Sequence, residues 1–282
     1  MVRAEAPARL RVVVPSNLPV LADLQSTDAP LGEIPNVFPD ALALGQTRAA
    51  PEAGAAPAST LVTLGRGATD ATFPTIDVRF DTVTDGWTPP DPVMAAGPNH
   101  VVVLINARIA IYDTAGTLVQ GPFSLEQFFG IPPEFFDFDP LAIWDPHSRR
   151  FIVATLSDRS ASNDSRLYVA FSQTENATGA WNTYFIDADR DQPNIWADYA
   201  SVGIDRNAVY FTANMFSRSS AFRNVTLFIY DKEDGYAGRP LDNVHLIDVR
   251  TQGGGSPFRL RPAWIGRGRG GRPFFLAHVF GS

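Results

Sequence analysis

Three aspartates in this 282-residue chain open stretches that read alike: Asp91 in DPVMAAGPNH, Asp139 in DPLAIWDPHS and Asp198 in DYASVGIDRN. Read at equivalent places of a repeat, they converge on one region of the fold. Converging carboxylates with nearby carbonyls suit a hard cation such as Ca²⁺, which takes roughly six to eight oxygen ligands. Two carboxyls ~5–9.5 Å apart would instead serve glycoside hydrolysis. The third reading is structural, because Asp before Pro or a strand caps a turn. Asn106 and Asn214 stand at the ends of apolar runs and are candidate ligand-binding amides. A strand-terminal Asn also commonly bonds its own backbone. Trp196, just before the Asp198 opening, is the candidate for stacking on a sugar ring, with Trp87, Trp144, Trp181 and Trp264 behind it. The alternative for each indole is packing in the core.

Other chemistries lack their residues. His100, His147, His245 and His278 are far apart and show no zinc-binding spacing. No Gly-x-Ser-x-Gly is present, and the glycine runs at 253–257 and 266–271 lack the Lys-Ser/Thr of a phosphate-binding loop. A net charge of −7 argues against a nucleic-acid partner. The local basic cluster, Arg259 to Arg272, lies among glycines and reads as a solvated loop. Whether the chain is an enzyme stays open at this level.

The elements that position these residues recur every 50 to 60 residues or so. Each copy sets a polar, Asp- or Pro-centred opening before two apolar, β-branched stretches divided by turn residues. HVVVLIN (100–106) and RIAIYD (108–113) form the first pair of strands. RFIVATLSD and RLYVAFSQT form the second, AVYFTANMF and TLFIYDK the third, and a fourth copy begins at RLRPAWIG. Runs such as VVVLI and FIVATL are apolar on both alternating faces, as in strands covered on both sides. SLEQFFG (124–130) predicts one short helical turn capped by Ser124. Repeats of this length with several short strands each predict an all-β protein, a β-propeller of four-stranded antiparallel blades.

The expected domains are an Ala/Pro-rich disordered or extended arm over 1–71 and a propeller over 72–282. LRVVV (10–14) could form an isolated strand in the arm, and TFPTIDVRFDTV (72–83) alternates as a strand leading into the first repeat. About three and a half blades fit, fewer than a closed ring takes, so the propeller is expected to be incomplete and the chain part of a longer protein. No run reaches the ~18 apolar residues of a transmembrane helix, and no signal peptide is evident. Cysteine is absent, which suits either the cytosol or a large exported domain.

PPDPVMAAGPNHVVVLINARIAIYDTAG, DPLAIWDPHSRRFIVATLSD, LYVAFSQTENATGAWNTYFID and DYASVGIDRNAVYFTANMF together resemble a family of exported bacterial β-propeller proteins of mostly unassigned activity. The resemblance covers about Trp87 to Phe216. Asn176-Ala177 stands where the family has Asp-Pro, and Ala200 where it has Pro. SQTENATGAWNTY also resembles the Asp-box turn of sialidase-like propellers, a structural hairpin tie. The resemblance implies a secreted or cell-envelope protein. The expected function is a non-catalytic binding or scaffold module for a glycan or protein, with Ca²⁺ as a candidate stabiliser. The alternative is a glycoside hydrolase or lyase using the channel carboxylates.

Overall fold

The structure is a computed structural model that describes residues 2–4, 9–13, 89–189, 194–241, 243–246, 248–250, 257–266 and 275–278. Two short strands come first, β1 (Val2–Ala4) and β2 (Arg9–Val13). The first sheet is the antiparallel meander β3 (Val93–Ala96), β4 (His100–Ile105), β5 (Arg108–Asp113) and β6 (Leu118–Ser124). The second is β7 (Phe136–Asp145), β8 (Arg150–Arg159), β9 (Asp164–Ser172) and β10 (Trp181–Asp187). The third is β11 (Ile195–Ile204), β12 (Ala208–Ser217), β13 (Phe222–Asp231) and β14 (Asn243–Leu246). A hairpin of β15 (Phe258–Pro262) and β16 (Phe275–His278) follows. The protein is all-β, with four-stranded antiparallel meanders as the recurring unit.

The strand expected near residues 10–14 is present, but it is not isolated. β2 pairs with β10 as a fifth strand of the second sheet, and β1 pairs with β14 as a fifth strand of the third. Pairing there covers a row of edge N–H and C=O groups that a four-stranded meander leaves open. The rest of the expected arm, and the strand expected at 72–83, lie outside the described residues.

Strand alternation explains how the sheets stack. Along β8 and β9, Phe151, Val153, Tyr168 and Ala170 turn to the first sheet and pack with Val102, Leu104, Ile109 and Ile111. The intervening Ile152, Ala154, Leu167, Val169 and Phe171 turn to the third sheet and meet Val209, Phe211, Ala213 and Phe228. The second sheet is therefore apolar on both faces, which is why its strands read as continuous apolar runs. Each fully buried large side chain contributes about 1.5–3 kcal/mol relative to exposure.

Two short helices fill the seams. α1 (Leu125–Phe129) starts at Ser124, whose side chain accepts from Gln127 N–H, and ends at Gly130 with φ 72°. It sets Phe128 edge-on to Trp181 and Phe129 edge-on to Tyr168. α2 (Lys232–Ala237) is capped by Asp231 and lies on the second sheet, where Asn182 Nδ2 donates to the Gly235 and Tyr236 carbonyls.

The first strand of each meander packs against the first strand of the next: β3 on β7, β7 on β11, β11 on β15. Just past β15 the chain runs parallel to the end of β11, with an Ile204–Trp264 bridge and Ile265 N–H donating to the Ile204 carbonyl at 2.9 Å. Among the described residues no helix is long and apolar enough to cross a membrane.

Candidate functional site

The polar residues singled out in the sequence gather where these first strands meet. In β7 the pairing with β8 shifts between Phe138 and Leu141, so two residues face one. The same shift falls between Asp198 and Ser201 in β11 and between Phe258 and Arg261 in β15. Each shift is a β-bulge, which bends a strand and re-aims its side chains. The residue that takes the left-handed conformation is Asp139 (φ 50°), Tyr199 (φ 52°) and Arg259 (φ 55°) in turn, and Asp91 (φ 42°) before β3. Asp tolerates this conformation through its short polar side chain, whereas Tyr and Arg carry strain of order 1–3 kcal/mol.

These four residues, and not the three aspartates, are the equivalent positions. Asp198 stands one residue before the bulge, level with Phe138 and Phe258. The repeat phase read from the sequence is therefore off by one in the third copy, because Asp-Tyr replaces the Phe-Asp of β7.

Each bulge N–H is taken by a side chain from the preceding sheet. Asn106 Oδ1 accepts from Asp139 N–H at 3.1 Å. Asp139 Oδ2 accepts from Tyr199 N–H at 3.0 Å, and Asp198 Oδ1 shares that donor at 2.8 Å. Asn214 Oδ1 accepts from Arg259 N–H at 3.0 Å. Asn106 Nδ2 also donates to Asp91 Oδ2 and to the Pro89 carbonyl, both at 2.7 Å. Asp91, Asn106, Asp139 and Asp198 thus form one connected belt, and Asn214 joins it through its register partner Asp198.

Asp139 and Asp198 meet at one donor, since both accept from Tyr199 N–H. Burial, then the neighbouring Asp91 charge, raises Asp139 above the usual carboxylate range. Burial, then the Asp139 charge, pushes Asp198 up to about 8. Both shifts disfavour ionising the two carboxyls together. The Arg259 guanidinium sits 4.3 Å from the Tyr199 ring centre, partly opposing both shifts. The head of the arginine cluster is thus strand and not loop.

Trp196 is half-buried, edge-on to Phe138 and tilted against Phe216. Trp181 is fully buried beneath the β9–β10 turn, its Nε1–H donating to the Ala177 carbonyl at 2.8 Å. Among the described residues Trp264 is the exposed indole, and its Nε1–H donates to the Trp144 carbonyl. Among the described residues no group of three or more His, Asp or Glu side chains is placed to hold a metal ion.

Sequence reasoning missed Tyr199 and Arg259. The signal that finds them is register: each follows the residue that pairs opposite Asn214 or its counterpart His278. No family model, curated protein or solved structure matches the chain.

Proposed function

We propose that the meanders are blades of a β-propeller and that the protein is a non-catalytic binding or scaffold module of the bacterial cell envelope or secretome, recognising a glycan or a protein. The propeller reading is supported by first strands that pack successively and by the parallel bridge between Ile204 and Trp264. The exported location rests on the sequence resemblance.

The observation that carries the non-catalytic reading is that Asp139 and Asp198 both accept from one backbone donor, Tyr199 N–H. Glycosidase carboxyls stand ~5–9.5 Å apart to admit the sugar or a water. These two converge on a single backbone donor, Tyr199 N–H, which each accepts from. The bond from Tyr199 N–H to Asp139 ties β11 to β7, a structural use of the carboxyl.

Calcium belongs to this proposal as a stabiliser held by Asp91, Asp139 and Asp198. It would have to displace the hydrogen bonds these carboxylates accept from Asn106 and Tyr199. Melting with and without calcium, on wild type and the Asp91→Ala/Asp139→Ala/Asp198→Ala variant, tests it. A calcium-dependent rise lost in the variant supports the ion, and an unchanged melting temperature removes it.

The module reading is tested by co-sedimentation with insoluble bacterial cell-wall polysaccharide, alongside reducing-sugar release from the same material. Retention without release is expected. Sugar release abolished by both Asp139→Asn and Asp198→Asn would replace the module with the hydrolase.

A further inference from the structure

Building on the binding-module reading, we propose that Arg259, Tyr199, Phe258 and Phe222 form a site for an anionic glycan. The guanidinium takes the carboxylate or phosphate of one sugar unit, and the rings take its apolar face.

The bulge position shows what this arrangement costs. In the first two sheets it holds Asp91 and Asp139, both in the left-handed conformation. Asp suits that conformation, and its carboxylate is used there. Asp91 Oδ2 accepts from Asn106 Nδ2, and Asp139 Oδ2 accepts from Tyr199 N–H. The next two bulges hold Tyr199 at φ 52° and Arg259 at φ 55°. Side chains of that size are strained in this conformation.

A second cost falls on Asn214, the counterpart of Asn106 in the third sheet. It is 1% exposed, and its Oδ1 accepts from Arg259 N–H. Its Nδ2 has no hydrogen-bond partner among the described residues. The acceptor that Asp91 offers Asn106 is missing, because Tyr199 stands in its place. A small polar residue at position 199 would relieve the strain and give Asn214 an acceptor. Strain and an unmet buried donor, kept together at consecutive bulges, mark positions held for function and not for stability.

The side chains gained in exchange suit an oxyanion. Arg259 is exposed, and its guanidinium lies 4.3 Å from the Tyr199 ring centre. It makes no ion pair among the described residues. A planar guanidinium laid on a ring keeps its edge donors free for bidentate contact with a carboxylate or phosphate. The Phe258 ring stands 6.2 Å from that of Tyr199 and 5.2 Å from that of Phe222. All three residues are half-buried, so the cluster also meets solvent. Such rings pack the C–H face of a sugar, and a polar group placed beside them fixes its orientation. Asp139 and Asp198 lie on the same seam, but both are engaged by Tyr199 N–H. The chain's net charge of −7 offers anions no general attraction, so the guanidinium must act locally.

Calorimetry on the full chain tests the site with a galacturonate oligomer, a glycerol-phosphate wall polymer, a neutral glucose oligomer and polyglutamate. The first two distinguish carboxylate from phosphate as the bound group. Wild type should bind at least one of them, and bind the neutral oligomer and polyglutamate more weakly. Arg259→Asn should weaken that binding by about tenfold to a hundredfold, as loss of a charged hydrogen-bonding group does. Its melting temperature should equal or exceed that of wild type. Asn tolerates the left-handed backbone and keeps the N–H that Asn214 Oδ1 accepts from. Arg259→Lys should also bind less tightly, since an ammonium does not lie flat on the ring. Tyr199→Asn should repeat both effects of Arg259→Asn and decides the matter if that variant does not fold. Undiminished anion binding in a folded Asn variant overturns the site. Binding of the neutral oligomer alone overturns it and leaves the module reading standing. Polyglutamate bound as tightly as the glycans overturns it in favour of an acidic peptide. Binding of no probe also overturns it, and the module reading is then judged by retention on wall polysaccharide alone.

Discussion

Lys232 Nζ sits 2.7 Å from Asp145 Oδ2, with neither side chain exposed to solvent. The same ammonium donates to the Asp205 carbonyl, and Tyr236 O–H donates to the same carboxylate oxygen. Lys232 is the one lysine in a chain with twenty-two arginines. It links the exit of β7 to α2 and to the β11–β12 turn, pinning the second sheet to the third.

Removing the ammonium leaves a buried carboxylate without its counter-charge. Lys232→Met should lower unfolding free energy by about 3–5 kcal/mol, the cost of breaking a buried pair from one side. Lys232→Arg should not restore it, since a planar guanidinium does not fit a slot shaped for a compact ammonium. Urea unfolding of the three proteins measures both. A loss under about 1 kcal/mol for Lys232→Met would place this pair among inconsequential surface contacts.

Asp145 also sets a pH dependence opposite in sign to that of Asp198. Burial alone would raise it, but hydrogen bonds from Lys232 and Tyr236 outweigh burial and hold it below the usual carboxylate range. Its contribution is therefore present above the unfolded carboxylate value and lost as pH falls through the folded one. Asp205, held down by Ala208 and Asn207 N–H groups and by Tyr210 against burial, acts in the same direction. Asp145→Asn should flatten the acid limb of the stability curve and leave the alkaline limb unchanged. A flattened alkaline limb would mean that Asp145 and Asp198 titrate as one network.

The close approach of the β15 end to β11 depends on a glycine. A Cβ on Gly203 would stand 2.6 Å from the Ala263 carbonyl oxygen and 2.8 Å from the Pro262 carbonyl carbon. Both are backbone atoms, so the strand must shift to make room. Gly203→Ala should cost about 1–3 kcal/mol, as overpacking does. It should also speed hydrogen exchange at Ile265 N–H, which bonds the Ile204 carbonyl. Unchanged exchange with lowered stability would move the strain elsewhere in the third sheet.

The periodic part of the fold was legible. Runs such as RIAIYD and AVYFTANMF became β5 and β12, because strands covered on both faces show themselves as continuous apolar residues. Ser124 announced its short helix through the cap. The first strands were harder, because their bulges break alternation and put Asp, Pro, Tyr or Arg inside a strand. Local pattern finds Asp91 and Asp139 from Asp-Pro but slips by one at Asp198-Tyr199, where only the pairing with β12 fixes the phase. The partners of Asn106 and Asp145 lie 33 and 87 residues away in Asp139 and Lys232. No spacing rule reaches across such distances.

Asn106 is the residue through which the first sheet holds the second. Its amide satisfies the Pro89 carbonyl, Asp91 Oδ2 and Asp139 N–H together, and it is 1% exposed. Asn106→Ala strands all three groups and should cost roughly 2–4 kcal/mol, since each unmet buried partner costs about 1–3 and part of the set is reached by water. Asn106→Asp separates geometry from charge. It keeps an acceptor for Asp139 N–H but brings a carboxylate against Asp91, so it should be as damaging as Ala at neutral pH. At acid pH the added carboxyl takes up a proton, regains a donor for Asp91 and should recover part of the loss, whereas Asn106→Ala should not. Urea unfolding at both pH values decides between them. Equal behaviour of the two variants at acid pH would show that the amide's worth lies in filling space and not in tying one first strand to the next.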